Sequence, residues 1–157
     1  MTVDEISKLK IVIDTNLLLL LIVYSACPEL VGKARRVQDF TVEDSESLVR
    51  IISASRGTAT TTHVLTETSN LLGQVSGLDR ERLMTKFKGL IYESDELCSP
   101  ARRVAKNPAF VRLGITDAAL VDTLDESTVL LSVDAKLVFE TLNQGKLAIN
   151  FNHYRFT

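Results

Sequence analysis

The chain has only two cysteines and two histidines in 157 residues, and its basic residues do not outnumber its acidic ones. Cys27 and Cys98 are far apart and form no CxxC pair, so neither a disulfide framework nor a zinc site is indicated. Both are expected to be buried thiols. The most apolar stretch, Leu17 to Cys27 (LLLLLIVYSAC), falls well short of the ~20 residues a bilayer crossing needs, and Asp14 and Asn16 stand just before it. A core helix is expected there. The acid-bearing start MTVDEISKLK is unlike a cleavable signal, so a cytoplasmic protein without membrane association is expected. The formal net charge of −2 argues against nucleic-acid binding by bulk charge, which depends on clustered Lys and Arg. A nucleic-acid substrate would need a local basic patch.

What is present is an ordinary globular balance, 45% hydrophobic and 24% charged, enough to build a core over one domain spanning residues 1–157. Lys10-Ile-Val-Ile-Asp14 reads as a buried parallel strand ending in a carboxylate, followed by the Leu-rich helix. Ser45 to Ser55 predicts an amphipathic helix with Leu48, Ile51 and Ile52 on one face. Gly57 to Thr62 predicts a second strand, and Val64 to Leu72 a helix holding Glu67 about one turn in. Asp79 to Tyr92 is a further amphipathic helix, and Asp95 to Pro108 reads as a long connection in which Ser99-Pro100 starts a short helix. Thr116 is expected to cap a helix with Asp117 at its first position. Thr128 to Val133 predicts a strand ending at Asp134, Ala135 to Asn143 a helix, and Leu147 to Phe151 a last strand. This alternation implies an α/β fold, a three-layer sandwich around a mainly parallel sheet.

In open parallel sheets, ligands collect beyond the carboxyl ends of the strands. That topology can bring strand-end Asp14 and Asp134 to helix-start Asp117, with Glu67 reaching the same edge. Several ionised carboxylates in one pocket must raise their pKa values or bind cations. Hard oxygen ligands without His or Cys point to Mg²⁺ or Mn²⁺, and such a metal suits phosphodiester hydrolysis. Arg102, Arg103, Lys106 and Arg112 precede the Asp117 segment and are the candidate phosphate-binding residues, with a solvated basic face as the alternative.

Four strings in series resemble the PIN-domain family, and within it the VapC-type ribonuclease toxins. They are Ile11-Val-Ile-Asp-Thr-Asn-Leu17, Thr62-His-Val-Leu-Thr-Glu67, Gly114-Ile-Thr-Asp-Ala-Ala-Leu120 and Leu130-Leu-Ser-Val-Asp134, and they cover nearly the whole chain. The resemblance implies a metal-dependent endoribonuclease with Asp14, Glu67, Asp117 and Asp134 as catalytic metal ligands and Asn16 and Ser132 as polar supports. It also implies a small antitoxin partner and homodimerisation through helical faces. The fourth string departs from the common toxin pattern. Ser132 stands where Thr is frequent, and the usual basic and aromatic residues after the acid are absent.

Each acid has a plainer reading. Asp14, Asp117 and Asp134 are all placed to cap helices or favour their first turns, and Glu67 suits an exposed helical surface. Asp122, Asp125 and Glu126 read as a solvated helix end, and His63 as a structural polar group. Among other functions, a HAD-like phosphatase would want a second Asp where Asn16 stands, and a response-regulator receiver would want an adjacent acidic pair. A PIN-like binding or assembly module without activity is the non-enzymatic alternative.

Overall fold

The structure, a computed structural model, describes residues 1–155. After a short helix α1 (Val3–Ile6), strand β1 (Lys10–Ile13) leads through Asp14 into helix α2 (Thr15–Ala26). Helix α3 (Val42–Ala54) precedes β2 (Gly57–Thr61), which runs directly into α4 (Thr62–Leu72). Then come α5 (Gly77–Glu93), β3 (Asp95–Leu97), three short helices α6 (Ala101–Val104), α7 (Phe110–Leu113) and α8 (Ile115–Thr123), β4 (Thr128–Ser132), α9 (Ala135–Asn143) and β5 (Ala148–Asn150).

The five strands form one sheet in the order β3-β2-β1-β4-β5, and every pairing is parallel. Helices flank this central sheet, as the alternation of elements implies. The two strands β1 and β4 at its middle are the most buried. Every residue of β4 is buried, and Ile11, Val12 and Ile13 of β1 are buried with them. Parallel strands covered on both faces need such runs, because both side-chain directions meet protein. The flanking strands are three residues long and more polar, which suits the sheet's two edges.

Helix α2 is apolar nearly all round and is buried accordingly, with Leu17, Leu18, Leu19, Leu20, Ile22 and Val23 all in the core. It packs against α3, α4 and α5. Among the described residues no helix is long and apolar enough to cross a membrane. A smaller apolar cluster of Val104, Ala109, Ala118 and Ala119 joins α6 and α7 to α8. Its alanines let these short helices approach closely.

Several boundaries differ from the sequence expectation, each for a local reason. Helix α3 starts at Val42, because Thr41 and Asp44 form a reciprocal capping box ahead of the apolar face. The segment Asp95–Leu97 is an edge strand, set by pairing with Ala59, Thr60 and Thr61 rather than by any propensity of its own. Ser99 does not cap α6. Its hydroxyl donates instead to Asp122 Oδ2 at 2.6 Å, leaving Pro100 at the cap without a side-chain bond. Thr116 likewise does not cap α8; Gly114 does, at φ +85°, so Asp117 is the third helical residue and not the first.

A candidate acidic centre at the switch point of the sheet

The sheet order reverses direction between β1 and β4: the chain leaves β1 toward β2 on one side and leaves β4 toward β5 on the other. A crevice opens beyond the carboxyl ends of two such strands, because their following connections diverge. Asp14 follows β1 immediately, and Ser132 closes β4 two residues before Asp134.

These residues are joined. Asp14 is 5% exposed, and both of its oxygens are engaged. Its Oδ1 accepts the Leu17 N–H at 2.9 Å, capping α2, while its Oδ2 accepts the hydroxyl of fully buried Ser132. Ser132 Oγ in turn accepts the Asp134 N–H at 2.9 Å. One hydroxyl therefore ties the end of β1 to the end of β4. Asp134 is exposed and caps α9, its Oδ1 accepting from Lys136 N at 2.8 Å and Leu137 N at 3.2 Å. Capping and membership of the centre thus coexist for both aspartates.

Asp117 lies half-buried in the first turn of α8 and makes no capping bond. Burial pushes its carboxyl up to about 6, and the negative charges of Asp134, Asp14 and Glu67 add to that in this order. Glu67, exposed on the second turn of α4, is therefore near enough to act on Asp117; α4 and α8 pack together. Burial also pushes Asp14 up to about 6, opposed by its hydrogen bonds from Ser132, Leu17 and Val133 and reinforced by Asp134. The four acids expected from the sequence share one electrostatic neighbourhood.

They do not form a closed cage. Among the described residues, one group of three ligand-type side chains brings its atoms within 4.8 Å of one another, and it is Cys27, Glu29 and Asp79. That group already has a cation. The Arg82 guanidinium lies 3.1 Å from Glu29 and 3.7 Å from Asp79, and it also donates to the Ala26 carbonyl at 2.7 Å. The four acids stand further apart than this, as like charges do without a counter-ion between them. Their donor set suits a hard divalent ion: carboxylate oxygens alone, two with raised pKa values, and no nitrogen or sulfur ligand among them.

The remaining expected residues divide. Asn16 is half-buried on the first turn of α2, and Ser132 holds Asp14 as a support should. Arg103 is drawn away from the centre, its Nε 3.1 Å from Asp122 near the far end of α8. Asp122 lies five residues, about 7 Å, along the helix from Asp117. Its side chain is only 13% exposed, so it is a packed anchor for Ser99 and Arg103 and not part of a solvated helix end. Arg102 and Lys106 are exposed beside it on α6 and its exit. Arg112 pairs with buried Glu140 of α9 while keeping 62% of its own side chain exposed. Cys27 is buried as expected; Cys98 is exposed, a correction that follows from its place on the exit of an edge strand.

The helix after Asp134 does carry a basic and an aromatic residue, contrary to the sequence expectation. Lys136 and Phe139 lie on its exposed face, three residues apart, while Leu137, Val138 and Glu140 face inward. The helical spacing signals this once Asp134 is taken as the cap. The sequence matches no protein-family model and no curated protein.

Proposed function

We propose that this protein is a divalent-metal-dependent endoribonuclease of PIN type. The observation that carries the reading is the raised carboxyl of Asp117, acted on by Asp134, Asp14 and Glu67 from three other segments of the chain. Acids at a strand-order switch that repel one another are stabilised by a cation, and a scissile phosphate can come close to them once that charge is offset.

Asp14, Glu67, Asp117 and Asp134 would hold Mg²⁺ or Mn²⁺. A bound ion of this kind supplies an acidified water and offsets charge on the scissile phosphate. Asp14 is held in one orientation by the Ser132 hydroxyl and the Leu17 N–H, so little side-chain freedom is left to lose when the ion arrives. The Asp117 carboxyl is partly accessible, so it can face a water at the centre and receive its proton. Incubation of the purified protein with RNA and Mg²⁺ or Mn²⁺, with EDTA as control, tests the assignment. Cleavage that Asp14→Asn leaves unchanged would sink it.

The spacing of the four acids favours one second reading, a PIN-like binding or assembly module without activity. Calorimetry separates the two: micromolar Mn²⁺ binding supports the nuclease, and a folded protein without Mn²⁺ binding supports the module. The family reading further brings a small antitoxin partner and a homodimer, and the acid-bearing segment MTVDEISKLK a cytoplasmic setting. Light scattering that returns a monomer removes the dimer.

A further inference from the structure

Helix α9 leaves the acidic centre with an exposed stripe of unusual composition. Phe139 is 64% exposed, although its neighbours at 137, 138, 140 and 141 are all buried. Beside it lies a groove of about 390 Å³ lined by Arg112, Ala135, Lys136 and Phe139. Two of the four lining side chains are cationic, and no lining residue is acidic. Lys136 makes no side-chain hydrogen bond or ion pair among the described residues. Arg112 is aimed by its bond to Glu140, which is itself held by Gln144 Nε2 at 2.8 Å.

The groove is continuous with the acidic centre along the chain. Ala135 and Lys136 directly follow Asp134, whose Oδ1 accepts the Lys136 N–H. Arg112, the other cation of the groove, belongs to α7, from which Gly114 leads into α8 and Asp117. The lining residues thus come from segments adjoining those that carry candidate metal ligands. Cations flanking a flat exposed ring match a strand of phosphates and unpaired bases, since every base offers a π-face and every linkage a negative charge. A duplex keeps its bases stacked on one another and offers such a ring nothing to cover.

We propose that this groove holds the single-stranded RNA beside the scissile phosphate, with Phe139 stacking on a base and Lys136 and Arg112 receiving the backbone. The inference rests on the nuclease reading and adds to it a binding groove outside the four acids and a base-stacking residue, Phe139. An apolar protein contact through Phe139 and its exposed neighbour Leu142 is the competing use of the same face.

The test measures fluorescence anisotropy of a labelled single-stranded RNA octamer and of a matched RNA duplex, in EDTA so that no cleavage intervenes. The proteins are wild type, Phe139→Ala, Phe139→Trp and Lys136→Ala; Mn²⁺ titration and light scattering are run on each. Expected is single-strand binding at least about fivefold weaker for Phe139→Ala and kept by Phe139→Trp. Lys136→Ala should lower the slope of log affinity against log salt by about 0.7. Mn²⁺ affinity should stay unchanged in all three variants. Equal single-strand affinity for wild type and Phe139→Ala overturns the groove while Mn²⁺ binding and cleavage leave the nuclease standing. Preference for the duplex overturns it too, as does a Phe139→Ala effect on oligomeric state alone. Wild-type protein that binds neither RNA in EDTA overturns the groove, and cleavage of RNA in Mn²⁺ decides the nuclease reading separately.

Discussion

The hydroxyl of Ser132 donates to Asp14 Oδ2 across the β1–β4 junction and accepts the Asp134 N–H on its other side. Both aspartates of the junction therefore meet one buried hydroxyl, Asp14 through its carboxylate and Asp134 through its backbone N–H. Ser132→Ala leaves Asp14 Oδ2 without its donor in a buried setting, at a cost of about 1–3 kcal/mol. Because that bond lowers the Asp14 carboxyl, its loss raises it further. Urea unfolding at pH 7.5 should show the loss of stability, and Mn²⁺ calorimetry a weaker site. Ser132→Thr, which keeps the hydroxyl, should recover part of both.

Asp117's contribution to the stability of the metal-free protein should be lost as pH rises from about 4 to about 6. Asp117 has a folded pKa of about 6 against an ordinary value of 3.8, so the folded chain holds this proton more tightly than the unfolded one. Its contribution is full below the unfolded value and is lost as pH rises through the folded one. Asp117→Asn removes that loss, and after allowance for partial exposure it should stabilise the metal-free protein by about 1 kcal/mol at pH 7.5. Equal melting temperatures for wild type and variant at pH 7.5 would count against the crowded centre.

Divalent ions must displace the protons of Asp14 and Asp117, which both titrate at about 6. If both must ionise, Mn²⁺ affinity should fall about 100-fold between pH 7 and pH 5. Calorimetry in non-coordinating buffers reads this directly. A flat affinity over that range removes these two residues from the ligand set.

Gly114 enters α8 at φ +85° and ψ 177°, a conformation essentially restricted to glycine. Nothing lies within 4 Å of a Cβ built there, so the penalty for Gly114→Ala is conformational and not a clash. A loss of about 1–3 kcal/mol is expected. Since Gly114 sets where α8 begins, the same variant should weaken Mn²⁺ binding through Asp117. Unfolding and calorimetry together distinguish a local shift from a general loss of structure.

The two thiols should separate cleanly. Cys98 is exposed near Thr62 and Glu96, whereas Cys27 is buried and its thiol is pushed up by desolvation. A thiol-reactive dye should label one site in the native protein and two in denaturant. Native labelling at Cys27, read by mass spectrometry, would contradict its burial.

The chemistry of this chain was written locally. A β-branched run ending at Asp14, an apolar-centred run, Thr128 to Val133, ending at Asp134, and helices repeating at 3.6 residues are enough to infer a parallel α/β fold and acids at its carboxyl edge. Those signals are legible because burial on both faces of a strand demands continuous apolar sequence. Asp95–Leu97 carries no such signal, and its strand exists only because the edge of β2 offers it hydrogen bonds.

The same division holds in the site. Which residue types could bind a hard cation was evident from the sequence, since carboxylates are the only candidates at those strand ends. The tertiary structure alone decided that the strand order reverses between β1 and β4 and that Ser132 bridges Asp14 to Asp134. It also drew Arg103 away to Asp122 and set Arg112 and Lys136 beside an exposed Phe139. Side-chain identity is a property of one position, whereas pairing, burial and pKa depend on what distant segments bring to it. Ser132 and Asp14 are 118 residues apart, and only the folded sheet makes them neighbours.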